Sequence, residues 1–265
     1  MYANYEVNGE TRLGLFDGAT MVRLKGPSTD ELLRIGFPPV PADAPVEHDP
    51  FRLLPAVLSP GKIICLLRSY RAHAEELGNV APPEPMFFAK LNNTLIGSGE
   101  AIEIPEDLVG EVHHEGELAL VIGRGGRRIP PGEGLSHVGA YTIANDVTAR
   151  TMQKADAGRN MPWLRGKSID TFLPLGPGLV PALGVPDPHD LELRVSVNGV
   201  QRQKGNTSRL LWPIGEILAH VSRWIRLDPG DVILTGTPQG VGPIIAGDEV
   251  VVEIGGLGSL VNSVR

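Results

Sequence analysis

Seven prolines fall between residues 37 and 60: Pro38, Pro39, Pro41, Pro45, Pro50, Pro55 and Pro60. Proline has no N–H to give a ladder and its φ is locked, so neither a helix nor a central strand can run through such a stretch. It reads as a linker, or as chain draped over a surface. It therefore divides a small β-rich N-terminal unit, residues 1–59, from a larger unit, residues 60–265. In the first unit, Asn8-Gly9 and Asp17-Gly18 separate three short segments rich in Tyr, Val, Leu and Phe. These dipeptides suit the positive φ of tight hairpin turns, so a small antiparallel meander is predicted. Ser28 and Glu31 then have capping-box spacing, which predicts a brief helix ending at Gly36.

Beyond residue 60 strands dominate. Strands are predicted at Ile63–Leu67, Met86–Lys90, residues 111–123 (one long strand), 139–147, 231–235 and Glu249–Ile254. A hairpin about Asn198-Gly199 joins residues 191–197 to 200–203. Residues 70–77 read as a short helix closed by Gly78. The strongest helical pattern covers 213–226. Pro213 suits its first turn, and Ile214, Ile217, Leu218, Val221, Trp224 and Ile225 share a face. Helices are few and do not alternate with strands as βαβ units would. The fold class is α+β, mostly β: a mixed β-sandwich roll with helices packed outside. A count of 33 Gly and 24 Pro agrees with many turns and short strands.

A net charge of −7 leaves no basic footprint for nucleic acid. A small anion could bind such an acidic chain only at a local cation. The single cysteine, Cys65, lies in the run Ile63-Ile64-Cys65-Leu66-Leu67, where a core thiol is expected rather than a nucleophile. One cysteine allows no internal disulfide, and no apolar run is long enough to span a bilayer, so a cytoplasmic protein is expected.

The chemistry concentrates in a few motifs, each with two readings. In Glu111-Val112-His113-His114-Glu115-Gly116-Glu117-Leu118-Ala119, a strand would point Glu115 and Glu117 the same way. Turned to the core, they need a cation, and oxygen-only ligation suits Mg²⁺, Mn²⁺ or Ca²⁺. Turned to water, they are a solvated acidic edge. Adjacent histidines on a strand face opposite sides and lack the i, i+4 spacing of helical zinc motifs. Asp146, in Ala144-Asn145-Asp146-Val147-Thr148-Ala149-Arg150, either caps a turn or completes a three-carboxylate set. Gly166-Lys167-Ser168 lacks the upstream glycine of a phosphate loop. The glycines in Leu234-Thr235-Gly236-Thr237-Pro238-Gln239-Gly240-Val241-Gly242 either admit a ligand close to the backbone or form a tight loop. On a helix, His73 and Glu76 are i, i+3 neighbours: a general-base dyad, or a surface pair.

Taken in order, Glu-Gly-Glu-Leu-Ala, Asn-Asp-Val-Thr-Ala-Arg, Gly-Lys-Ser-Ile-Asp-Thr-Phe-Leu-Pro-Leu-Gly-Pro and Leu-Thr-Gly-Thr-Pro-Gln-Gly-Val-Gly resemble the fumarylacetoacetate hydrolase superfamily. The resemblance runs from about Lys62 to the C-terminus. It implies a metal site of Glu115, Glu117 and Asp146 holding Mg²⁺ or Mn²⁺, with Lys167 beside it. It implies a His73–Glu76 dyad on a lid helix, substrate contacts from Gln153 and Thr237, and a carboxylate contact from Arg68. It also implies a homodimer.

The implied chemistry has one electron sink. Three carboxylates and a divalent ion sum to about −1, which Lys167 neutralises. Breaking the C3–C4 bond of a 2-oxo acid leaves an enolate, whose charge the ion and Lys167 stabilise. Hydrolysis of an acylpyruvate or decarboxylation of oxaloacetate leads. The alternative is a 2-hydroxyhepta-2,4-diene-1,7-dioate isomerase or 5-oxopent-3-ene-1,2,5-tricarboxylate decarboxylase of aromatic catabolism. A metal-binding protein without catalysis is the reading from another class. Leu67-Arg68-Ser69-Tyr70 departs from the family's common Gly-Arg-Asn-Tyr.

Overall fold

The computed structural model describes residues 1–26, 28–38, 44–76, 78 and 80–265. Pro39, Pro41 and Leu77, which figure in the sequence reading, lie outside them. Strands predominate over helices, as the sequence pattern predicts. The main sheet runs Met21–Leu24, Glu10–Phe16, Tyr2–Val7, Leu173–Pro181, Val138–Asn145, Gly116–Ile122, Val232–Leu234, Ile63–Leu67, Met86–Lys90. Neighbours in this order are antiparallel except Val232–Leu234 and Ile63–Leu67, which run parallel, and Leu95–Ile96 adds a parallel pairing to Leu173–Pro181. A four-stranded sheet comprises Val200–Asn206, Glu192–Val197, Glu249–Ile254 and Gly258–Ser263, and a small one comprises Thr148–Ala149, Val112–His114 and Gly242–Ile244.

The meander of residues 2–24 forms as its turn dipeptides predict, with Asn8, Gly9 and Gly18 at positive φ. Its first strand pairs with Leu173–Pro181 through Tyr2 and Leu179, so these strands extend the main sheet. The later part of the proline-rich stretch, from Val46, lies along that sheet: Val46 bridges Val22, Arg52–Leu53 pairs with Tyr2–Val7, and Ala56 and Val57 are buried. Ser28 takes the N-cap position of the Thr29–Ile35 helix, yet no capping box forms. The Thr29 N–H instead donates to Asn4 Oδ1 at 2.9 Å, and Asp30 accepts from Leu58 and Ser59 N–H. Long-range partners thus replace the local cap.

The core lies on both faces of the main sheet. Leu118, Leu120 and Ile122 join one cluster with the four-stranded sheet and the Ile214–Trp224 helix. Ala119 and Val121 join another with Ile63, Cys65, Leu173 and Val232. Ile214, Ile217, Leu218 and Val221 are fully buried, as their helical spacing predicts. Trp224 is not: the helix ends there, and its ring is 67% exposed under the Arg223 guanidinium.

The long strand expected over 111–123 is broken. Val112–His114 belongs to the small sheet and Gly116–Ile122 to the main one. At Glu115 the backbone leaves the ladder, its N–H going to Asn145 Oδ1 and its carbonyl accepting from Asp146 N–H. Gly116 has no side chain because a Cβ there would collide with Val195 and Val252 of the four-stranded sheet. The switch between sheets is therefore where the acidic motif sits.

Candidate active site

A cavity of about 330 Å³ opens at this switch. Seven of the nine residues expected at the site line it: Arg68, His73, Glu115, Glu117, Gln153, Lys167 and Thr237. The other two each contact a lining residue. Asp146 accepts from Lys167 Nζ at 2.6 Å, and Glu76 lies 3.4 Å from His73 Nδ1. Because the motifs come from different elements, only the fold brings them together. Lys167 ends the Leu164–Lys167 turn, Gln153 rides the Arg150–Gly158 helix, and Thr237 follows the Val232–Leu234 strand.

Glu115, Glu117 and Asp146 offer oxygens that all lie within 4.8 Å of one another, and all three residues are buried. Carboxylates so placed repel one another unless cations intervene. Lys167 Nζ bridges Glu115 Oε2 at 2.8 Å and Asp146 Oδ2. Lys90 Nζ donates to Asp146 Oδ1 at 2.7 Å and to the Val147 carbonyl at 3.2 Å. The Arg150 guanidinium pairs with Glu115 and donates to Gln153 Oε1 at 2.6 Å. Lys90 and Arg150 carried no role in the sequence reading. Arg150 closes the Asn-Asp-Val-Thr-Ala-Arg motif, and a charged residue ending the apolar strand Met86–Lys90 was the available signal for Lys90.

These partners pull the carboxyls apart. Burial opposes ionisation of Glu115, but the charges of Lys167, Arg150 and His73 outweigh it and hold its pKa well below the usual range. Burial, reinforced by Asp146 and Glu115, pushes Glu117 well above that range. Among the described residues, the Glu117 carboxylate receives one hydrogen bond, from Gly236 N–H at 2.6 Å. A buried carboxyl beside two others, with no salt-bridge cation of its own among the described residues, suits a hard divalent ion with oxygen ligands. The donor set fits Mg²⁺ or Mn²⁺. Ion uptake requires Glu117 to ionise; three carboxylates and three cations then sum to zero, so a divalent ion would leave the site at +2. This corrects the neutral balance expected from Lys167 alone, which counted too few cations.

The rest of the wall mixes Leu66, Leu67, Phe88, Ala157 and Trp163 with the polar Arg68, Lys154 and Thr237. Phe88 sits under Lys167 Nζ, 5.1 Å from the ring centre, and meets Trp163 edge-on at 5.9 Å. Opposite lies the Arg71–Glu76 helix with buried His73, whose pKa burial holds below its ordinary value. Glu76 also accepts from Gly240 N–H at 2.9 Å, tying the helix to the glycine-rich loop. Ser69, a departure from the family's usual run, donates to the Thr235 carbonyl of that same loop. Cys65 is a buried free thiol, as its apolar run predicts, and burial raises its pKa. No helix among the described residues is long and apolar enough to cross a membrane.

Comparison with known proteins agrees with this geometry. Residues 62–265 match the fumarylacetoacetate (FAA) hydrolase C-terminal family. Oxaloacetate tautomerase FAHD1 of Arabidopsis thaliana is 42% identical over 196 residues, 74% of this chain and 87% of that protein. The fumarylacetoacetate hydrolase of Exiguobacterium antarcticum superposes with a TM-score of 0.89 at 36% identity, covering 100% of this chain and 98% of that one. Fumarylpyruvate hydrolase of Pseudomonas aeruginosa, solved with Mn²⁺ and pyruvate, gives a TM-score of 0.74 at 33% identity over 80% of this chain and 91% of that one. With the acidic triad, the cavity and the fold in agreement with these matches, the chain belongs to the fumarylacetoacetate hydrolase family.

Proposed function

We propose that this protein is a Mg²⁺- or Mn²⁺-dependent enzyme that cleaves the C3–C4 bond of small 2-oxo acids of the acylpyruvate or oxaloacetate type. The observation that carries the reading is the charge balance: three buried carboxylates, all ionised once an ion binds, meet three buried cations, and a divalent ion would raise the sum to +2. A substrate bringing two negative charges, a dicarboxylate or the enolate of an acylpyruvate, restores neutrality. Glu115, Glu117 and Asp146 would hold the ion, which would supply Lewis acidity to the bound 2-oxo acid. Lys167 places an ammonium where negative charge grows as the bond breaks, and Arg150 with Gln153 frames the carboxylate end. With its Nδ1 toward Glu76, His73 leaves Nε2 for a proton. In hydrolysis His73 takes a proton from water as oxygen adds to C4. The C3–C4 bond then breaks, its electron pair passes to the C3–C2–O system, and C3 is reprotonated.

A second reading shares these residues. Proton transfer at C3 without cleavage needs only the base and the charge sink, and tautomerisation of oxaloacetate is the reaction named for the Arabidopsis relative, 42% identical. We also infer a cytoplasmic homodimer that engages neither nucleic acid nor membrane; the resemblance, the net charge and the single cysteine support this. The deciding assay follows pyruvate release from acetylpyruvate and oxaloacetate, and keto–enol exchange of oxaloacetate, with Mg²⁺ and with EDTA against a protein-free metal control. Metal-dependent release establishes cleavage. Exchange without release establishes the tautomerase. Neither, for any 2-oxo acid, refutes the proposal.

A further inference from the structure

We infer that Gln203 is a positioning residue for this site: one buried amide that holds both the residue between the two glutamates and the threonine of the cavity wall. The inference rests on the proposed function, in which Glu115 and Glu117 hold a divalent ion. Gln201-Arg202-Gln203 lies in the second strand of the hairpin predicted about Asn198-Gly199, which the structure forms with one irregularity. Val195 pairs with Gln203 but Ser196 pairs with Gln201, so Arg202 is an extra residue in the strand. Such a bulge re-aims the side chains that follow it. Gln201 and Arg202 stay exposed while Gln203 is fully buried.

All four groups around the amide are committed. Its Oε1 accepts from Gly116 N–H at 3.1 Å and from His114 Nδ1 at 3.0 Å. Its Nε2 donates to Thr237 Oγ1 and to the Pro238 carbonyl, both at 2.8 Å. The orientation follows from the neighbours: Gly116 N–H can only donate and the Pro238 carbonyl can only accept. Gly116 lies between the two glutamates, so the acceptor end holds the backbone from which both carboxylates project. The donor end sets a hydroxyl. Thr237 Oγ1 accepts from Gln203 and therefore spends its own hydrogen on the Gly116 carbonyl at 2.8 Å. With that hydrogen spent, the hydroxyl can offer the cavity, which Thr237 lines, only a lone pair. Gly240 and Gly205 permit this closeness, since a Cβ on either would strike Arg202 or Pro238 across the contact.

Two substitutions separate the ends. Gln203→Met keeps the bulk and removes every hydrogen bond. Gln203→Glu keeps the acceptor end and turns the donor end into an oxygen facing Pro238. The probe is Mn²⁺ alone, titrated calorimetrically into metal-free protein, followed by KM and kcat on the turned-over 2-oxo acid, with circular dichroism as the check on folding. Removing a partner that orients a ligand typically costs 10–100-fold in metal affinity. The expected result is a Kd for Mn²⁺ raised about 10–100-fold in Q203M. In Q203E the Kd stays near wild type while KM rises more than kcat falls. A folded Q203M with wild-type Mn²⁺ affinity overturns the inference, because a merely structural glutamine would lower thermal stability alone. If Q203M does not fold, Q203E decides, and an unchanged KM overturns it. A wild-type protein that takes up no Mn²⁺ sinks the proposed function and this inference together; normal wild-type uptake with an unaffected Q203M sinks this inference only.

Discussion

Lys90→Met tests the electrostatic argument most directly. Lys90 is buried, and its ammonium lies 2.7 Å from Asp146 Oδ1. At that distance and an effective dielectric of roughly 20, the attraction is about 6 kcal/mol. Part of it is offset by the desolvation of both groups, so the pair itself contributes far less. Removing one partner is another matter, because it leaves a buried carboxylate cluster with one charge uncompensated, at a cost of about 3–5 kcal/mol. For a chain of this size a loss of about 3 kcal/mol lowers the melting temperature by roughly 6–12 °C. The substitution removes one positive charge from the cluster, so a divalent ion should stabilise the variant more than the wild type. The assay is thermal unfolding of both proteins, metal-free and with saturating Mn²⁺. Lys90→Met combined with Asp146→Asn removes both charges and should be less destabilising than the sum of the single changes. A metal-free loss below about 1 kcal/mol, with equal Mn²⁺ shifts in both proteins, would refute the charge balance argued from these distances.

Other perturbations separate the parts of the molecule. His73→Ala should slow hydrolysis about 10²–10⁴-fold while leaving Mn²⁺ affinity intact, read by initial rates and calorimetry. Because burial holds His73 below its ordinary value of 6.5 and the base is the neutral imidazole, kcat/KM should fall as pH drops through that depressed pKa; a flat profile there would remove the dyad from the mechanism. Ile217→Ala, at a fully buried helix position, should cost about 2–5 kcal/mol in denaturant unfolding without changing KM. Glu47 accepts from Arg23 and Arg12 and from Tyr5; the Arg23 hydrogen bonds foremost lower its pKa from 4.5 to about 2. Its contribution to stability is therefore complete above 4.5 and lost as pH falls toward about 2, and Glu47→Gln should flatten that part of the stability–pH curve.

Much of the fold was legible because its signals are local. Ile63–Leu67, Met86–Lys90 and Glu249–Ile254 form over the residues their β-branched and apolar runs predict. Turn dipeptides placed the N-terminal meander and the hairpin at Asn198-Gly199, where positive φ is needed. The sequence pattern assigns no element to Leu173–Pro181, because its interior Pro174, Gly176, Pro177 and Gly178 argue against a strand; yet it lies centrally in the main sheet, between Tyr2–Val7 and Val138–Asn145. The capping box at Ser28 failed for the opposite reason: a correct local signal was displaced by Asn4, 25 residues away.

For the site, the order of the motifs was enough to bring Glu115, Glu117, Asp146, Lys167, His73 and Glu76 into one hypothesis, and seven of the nine residues expected there line a single cavity. What the residues alone determined was the supply of chemistry: acceptor oxygens, a lysine, an imidazole with its carboxylate. Tertiary structure decided how that chemistry is balanced. Lys90 reaches Asp146 across 56 positions, Arg150 reaches Glu115 across 35, and Gln203 reaches Gly116 across 87. No period or spacing encodes such pairs. They are selected by burial, since a charge or amide taken out of water must find a partner wherever the folded chain places one.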